Sequence, residues 1–186
     1  RHPLNSPGFW DAMISYTQRN PVSEALAAYI YGEMTKRGKT VWLDVKMAKL
    51  NTDAMKEAAQ HSRCIIAIVT GAHARPPEQA AEGEKPEDNA YFGREYCVQE
   101  LRWARKTGVP IQPVILVDDK KRIGELLALA PEDLKDLGSV DFIHLDRSRP
   151  AFWQAGVDEV LKNIADSCPE EPERSEPEEG GASLVT

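Results

Sequence analysis

Cysteine is scarce in this chain of 186 residues: Cys64, Cys97 and Cys168 are the whole supply. An odd count at spacings of 33 and 71 residues builds neither a disulfide framework nor a zinc site. The simplest reading is a reducing compartment, hence a cytoplasmic protein. Histidine offers no metal site either, because His2, His61, His73 and His144 lie far apart with no ligand spacing. Long apolar runs are missing: no stretch of about 18 apolar residues exists to span a bilayer, so no membrane partner is expected of this fragment. The first residues carry no signal-peptide core, and the start at Arg1 in place of Met suggests a piece excised from a longer protein. Excess positive charge is also lacking, with 23 Lys and Arg against 30 Asp and Glu. Without a basic stripe, nucleic acid is not an expected partner. Finally, there is no G-x-G-x-x-G, no G-x-x-x-x-G-K-[ST] and no G-x-S-x-G, which excludes the usual dinucleotide fingerprint, the P-loop and the hydrolase elbow.

What charge there is lies unevenly. Residues 168–186 hold six Glu and one Arg, which supplies -5 of the net -7. That segment has few apolar side chains and reads as an acidic disordered tail. The remainder is nearly neutral and long enough for one core burying roughly 70% of its unfolded-chain surface. The expected organisation is a leader at 1–8, one domain at 9–167 with a mobile insertion at 71–90, and the tail at 168–186. The insertion carries three Pro, two Gly and seven charged residues without a hydrophobic period.

Within the domain, short β-branched runs alternate with segments of helical spacing, the pattern of a parallel sheet covered by helices on both faces. Candidate strands are residues 12–16, 40–44, 64–70, 111–117 and 140–145. The third is apolar without alternation, which places it at the centre of the sheet. Asn20-Pro21 reads as a cap and first turn of a helix that ends at Gly38. Thr52 is the expected cap of a second helix running to His61. Further helices are expected over 91–106, within 118–138 and over 151–165. The fold class is therefore α/β, a flavodoxin-like three-layer sandwich with a five-stranded parallel sheet.

Ligands of such sheets bind beyond the C-terminal strand ends, which here gathers Ser15, Tyr16, Asp44, Thr70 and the start of the helix carrying Tyr96, Cys97 and Glu100. A phosphorelay receiver shares this topology but needs an Asp at the end of strand three. This strand ends Val69-Thr70-Gly71.

The same residues carry a family resemblance. Phe9-Trp10-Asp11-Ala12-Met13-Ile14-Ser15-Tyr16 resembles box 1 of the Toll/interleukin-1 receptor (TIR) domains. Val41-Trp42-Leu43-Asp44 resembles their second strand, leading into the BB loop, and Ser62-Arg63 followed by the apolar strand resembles their third. Tyr96-Cys97-Val98-Gln99-Glu100-Leu101 is similar to their [WY]-C-x-x-E-L helix motif, and Phe152-Trp153 to box 3, where both aromatics are expected to anchor the last helix. Two departures stand out: residues 45–52 hold neither Gly nor Pro, and the insertion at 71–90 is long.

The resemblance implies a signalling domain of innate-immunity type, of the branch that hydrolyses NAD+ at the nicotinamide–ribose bond. NAD+ would be substrate, with no resident cofactor. The products would be nicotinamide and linear or cyclic ADP-ribose, with activity dependent on homotypic TIR–TIR self-association. It implies Glu100 as the catalytic carboxylate, on the exposed, cleft-facing side of its helix. Tyr96 would stack on substrate, and Ser15, Tyr16, Trp42 and Asp44 would line the pocket. One carboxylate suffices, because nicotinamide leaves from a pyridinium that is already positive and needs no proton, whereas most glycosidases need a second acid. The alternative in another class is a non-enzymatic scaffold acting through TIR–TIR contacts. A remoter one is a deoxyribosyltransferase-like enzyme, which would transfer sugar between bases.

Overall fold

The computed structural model describes residues 2–167, so the tail expected at 168–186 lies outside the described residues. Five parallel strands run in the order β2-β1-β3-β4-β5, the flavodoxin-like order: β1 Ala12–Ser15, β2 Val41–Trp42, β3 Ile65–Ile68, β4 Ile111–Leu116 and β5 Ile143–Leu145. As its unbroken apolar sequence predicts, β3 is central and buried on both faces. Met13, Ile65 and Ala67 point to one face, against α2 (Thr52–Gln60), α3 (Glu95–Lys106) and α4 (Ile123–Ala128). Ile14, Ile66 and Ile68 point to the other, against α1 (Pro21–Lys36) and α5 (Pro150–Ser167). This alternation of neighbours is the period-2 geometry of a strand, applied to a sheet covered on both sides.

Local chemistry sets the boundaries. Asn20 caps α1 by accepting from the Ser23 N–H at 3.2 Å, with Pro21 in the first turn, where its missing donor is harmless. Gly38, at φ +76°, takes the left-handed conformation that ends this helix. At α2 the cap is Asn51, whose Oδ1 accepts from the Ala54 N–H at 2.8 Å; Thr52, expected there, is the first helical residue instead. The second strand is shorter than its five-residue pattern, because Asp44 leaves the ladder to open a 3-10 turn, Asp44–Lys46. The helix expected from residue 91 is in two parts, a 3-10 turn Tyr91–Gly93 and then α3, divided by the extended Arg94. Of the two box 3 aromatics, Trp153 is buried against α1 but Phe152 is half exposed, so the last helix is anchored by one ring and not two.

The insertion at 71–90 leaves β3 and returns to α3 through two 3-10 turns, Pro77–Gln79 and Pro86–Asn89. Two buried asparagines close its root. Asn89 accepts from the His73 N–H at 2.7 Å and donates to the His73 carbonyl at 2.6 Å, while Asn20 donates to the carbonyls of Gly71 and Asn89. Farther out, Arg75 grips both oxygens of Glu84, at 2.7 and 2.8 Å. A backbone bond from Ala81 and this guanidinium hold the Glu84 carboxyl below its ordinary range. Gly93 follows, and a Cβ there would collide with the Glu87 carbonyl oxygen, so the exit of the insertion admits only glycine. Replacing Asn89 with Ala is expected to reduce stability by about 1–3 kcal/mol, since two backbone groups of His73 lose their partner at a buried position. Thermal melting and His73 amide exchange check this; no change in either would mean that water replaces the side chain.

Candidate functional site

The sheet delivers its polar residues to the C-terminal end of β1, beside the point where the strand order reverses between β1 and β3. Ser15 is the last residue of β1, and its hydroxyl donates to Glu100 Oε2 at 2.5 Å. Ser15 Oγ also lies 2.7 Å from the Tyr91 hydroxyl, so a serine from β1, a carboxylate from α3 and a phenol from the exit of the insertion form one buried chain. Alongside it, the Tyr16 hydroxyl donates to Asp44 Oδ1 and the Gln18 amide donates to Asp44 Oδ2, both at 2.6 Å. These bonds hold Asp44 out of the β2 ladder and fix the floor of a cleft.

That cleft has a volume of about 350 Å³. It is lined by Tyr16, Gln18 and Asp44 from the strand ends, by Leu50, Asn51, Thr52 and Met55 from the loop and start of α2, and by Arg94 just before α3 and Tyr96, Cys97 and Glu100 on it. Tyr16 and Gln18 also border a second hollow of about 660 Å³, walled by Arg19, His73 and Arg75 beneath the insertion. Arg19, on the wall of the second hollow, has φ +64°, a backbone conformation rare outside glycine and usually imposed by its surroundings.

Electrostatics single out one group. Glu100 is only 7% exposed, yet it borders the cleft. Burial pushes its carboxyl from 4.5 up to about 8, the Ser15 hydrogen bond pulls the other way, and the Asp44 charge raises it further. Burial also lifts Tyr16 above its ordinary range, reinforced by its bond to Asp44. Cys97 is raised by burial and then by the Glu100 charge, so it packs as a thiol with its sulfur 3.4 Å from the Tyr16 carbonyl and is no activated nucleophile. Among the described residues, no group of three or more His, Cys, Asp and Glu side chains could hold a metal ion, and no helix is long and apolar enough to cross a membrane.

Of the residues that the sequence points to, Tyr16, Asp44, Tyr96 and Glu100 meet at this cleft, and Ser15 lies directly behind Glu100. Tyr96 is 52% exposed at the rim, free to stack on a ligand. Two expectations change. Glu100 is buried and hydrogen-bonded where an exposed face was expected, because Cys97, Leu101 and Ala104 on the same side of α3 pack into the core. Trp42 is 1% exposed in that core and not in the cleft, since alternation along β2 turns its ring toward α2. Tyr91 is the residue that sequence reasoning missed: its five-residue separation from Tyr96 is no helical register, and only the chain path brings it to Ser15.

No protein-family model matches this chain, and neither does any curated protein sequence. Solved structures do. The TIR domains of the activated Roq1 resistosome, which directly recognises the pathogen effector XopQ, align with a TM-score of 0.52 at 13% identity, over 83% of this chain and 99% of theirs. The fold is that of a TIR domain. A flavodoxin-like domain from Synechococcus sp aligns at a TM-score of 0.42 and 18% identity, over 83% of this chain and 96% of that one. In the TIR fold described here, the cleft and its carboxylate stand at the end of β1 and on α3, under an insertion rooted in Asn20 and Asn89.

Proposed function

We propose that this TIR-fold domain hydrolyses NAD+ at the bond between nicotinamide and ribose, with Glu100 as the catalytic carboxylate. The observation that carries the reading is a single buried carboxyl, raised to about 8, on the wall of a cleft at the strand ends. In the reaction, the C1′–N bond breaks and its electron pair neutralises the nicotinamide ring. An oxocarbenium-like ribose remains, and water attacks C1′ and gives up a proton. An ionised Glu100 in a partly dry cleft stabilises that cation. A carboxylate whose pKa lies near neutrality is also suited to accept the proton from water. The pyridinium of the substrate is itself cationic, so its arrival favours the ionised form of Glu100 that burial disfavours.

Tyr96 stacks on a planar ring at the rim, and Tyr16 with Asp44 borders the ribose side. A cleft of about 350 Å³ takes a nicotinamide riboside, and the hollow beneath the insertion is open to the rest of the dinucleotide. Self-association belongs to this reading: the Roq1 TIR domains belong to an activated resistosome. The test is incubation of the purified domain with NAD+ over a hundredfold range of protein concentration, with and without a crowding agent. Nicotinamide release per mole should rise with concentration. If the domain is inert throughout, crowded or not, the NAD+ reading falls and the TIR scaffold reading takes its place.

A further inference from the structure

We propose that Tyr91 is a positioning residue for Glu100: its hydroxyl sets the direction of the buried chain Tyr91–Ser15–Glu100, so that Ser15 presents its hydrogen to the carboxylate. The argument is one of hydrogen counting. A serine hydroxyl has one hydrogen and can give it either to Tyr91 or to Glu100. Tyr91 is fully buried, with its ring edge-on to Phe92, and among the described residues Ser15 Oγ is the partner its hydroxyl has. If Tyr91 accepted from Ser15, its own hydrogen would be buried without an acceptor, which is strongly disfavoured. Tyr91 therefore donates to Ser15, and Ser15 passes its hydrogen to Glu100 Oε2. The arrangement suits an ionised carboxylate. A protonated one would have to find another place for its hydrogen or turn the chain around.

The position of Tyr91 follows from the insertion. Its N–H donates to the Thr70 carbonyl at 3.0 Å, and Asn89, two residues earlier, is clamped to His73. The other titratable groups lining the cleft with Glu100 are Asp44 after β2, Tyr16 after β1, Arg94 just before α3, and Tyr96 and Cys97 on α3; Asn51, Thr52 and Met55, on the α2 side of the cleft, do not titrate. Of these charged groups, Asp44 opposes ionisation of Glu100.

The proposal rests on the reading of Glu100 as the working carboxylate, but its test does not require turnover. In the full chain, the 13C shift of the Glu100 side-chain carboxyl is titrated by NMR. Tyr91→Phe keeps the ring and removes the donor, and should raise the midpoint by roughly half a pH unit or more. Ser15→Ala should raise it too, and the double variant should go no higher than Ser15→Ala alone, since Tyr91 acts only through Ser15. An unmoved midpoint in folded Tyr91→Phe, or the same added shift in the Ser15→Ala background, overturns the proposal. Should Tyr91→Phe fail to fold, site-specific 3-fluorotyrosine at position 91, a more acidic phenol, must lower the midpoint; a rise or no change overturns the proposal equally. A midpoint that shifts as stated in a domain without nicotinamide release upholds the chain and removes only the NAD+ reading.

Discussion

Glu100→Gln is expected to lower nicotinamide release from NAD+ by about 100-fold or more, with the loss falling on kcat. Glutamine keeps the shape of the side chain and can still accept from Ser15, so what is removed is the negative charge at the moment the ribose becomes cationic. Alanine would be a poorer test, because Glu100 is buried and its truncation would open a cavity behind the cleft. Tyr96→Ala provides the contrast. A half-exposed rim ring contributes to holding substrate before and during the reaction, so its loss should raise KM more than it lowers kcat. In the wild type, kcat/KM should climb with pH through neutrality and level off near 8, because it reports the free enzyme, whose carboxyl burial has raised to about 8. The kcat limb should lie lower, since the bound pyridinium favours the ionised form. A Glu100→Gln enzyme as fast as wild type would remove the carboxylate from the mechanism altogether.

The architecture was legible because it follows from long-range repetition: apolar runs at β3 and β4, capped helical stripes at α1, and proline at the start of α5. The site was legible only in part. Ser15, Tyr16, Asp44, Tyr96 and Glu100 could be gathered because strand ends and a helix face are regular places. Trp42 is hard to place from sequence because a strand residue near the binding edge can face either layer, and here the ladder ends at Trp42 itself, two residues before Asp44 turns away. The burial of Glu100 was hidden for a related reason: a polar residue on a helix reads as solvated until its neighbours Cys97 and Leu101 are known to be core. Tyr91 could not be found by period, since its contact with Ser15 spans 76 residues and depends on an insertion whose path is set by two asparagine clamps.

The same buried carboxylate should also leave its mark on stability. Glu100 titrates near its ordinary value of about 4.5 when unfolded and at about 8 when folded, so the folded state binds the extra proton between these limits. Folding is therefore unpenalised by this group below about pH 4.5, loses stability as the pH rises from there, and loses no more above about pH 8. At 1.36 kcal/mol per pH unit the ceiling of the loss is about 5 kcal/mol, and relaxation of the surroundings brings it to the order of 2–4. Glu100→Gln cannot ionise and should escape this slope. Subtracting the pH dependence of its unfolding free energy from that of the wild type should give a difference that is flat in acid, grows in favour of Gln through neutrality, and is constant above about pH 8. Whatever a buried amide adds or removes shifts the whole curve without changing its slope, so the slope is the readout. Denaturant titrations of both proteins from pH 4 to 9 would measure it, and parallel curves would mean that Glu100 is solvated in the folded domain. A rising difference would identify a carboxylate retained against the stability of its own fold, the usual mark of a group kept for chemistry.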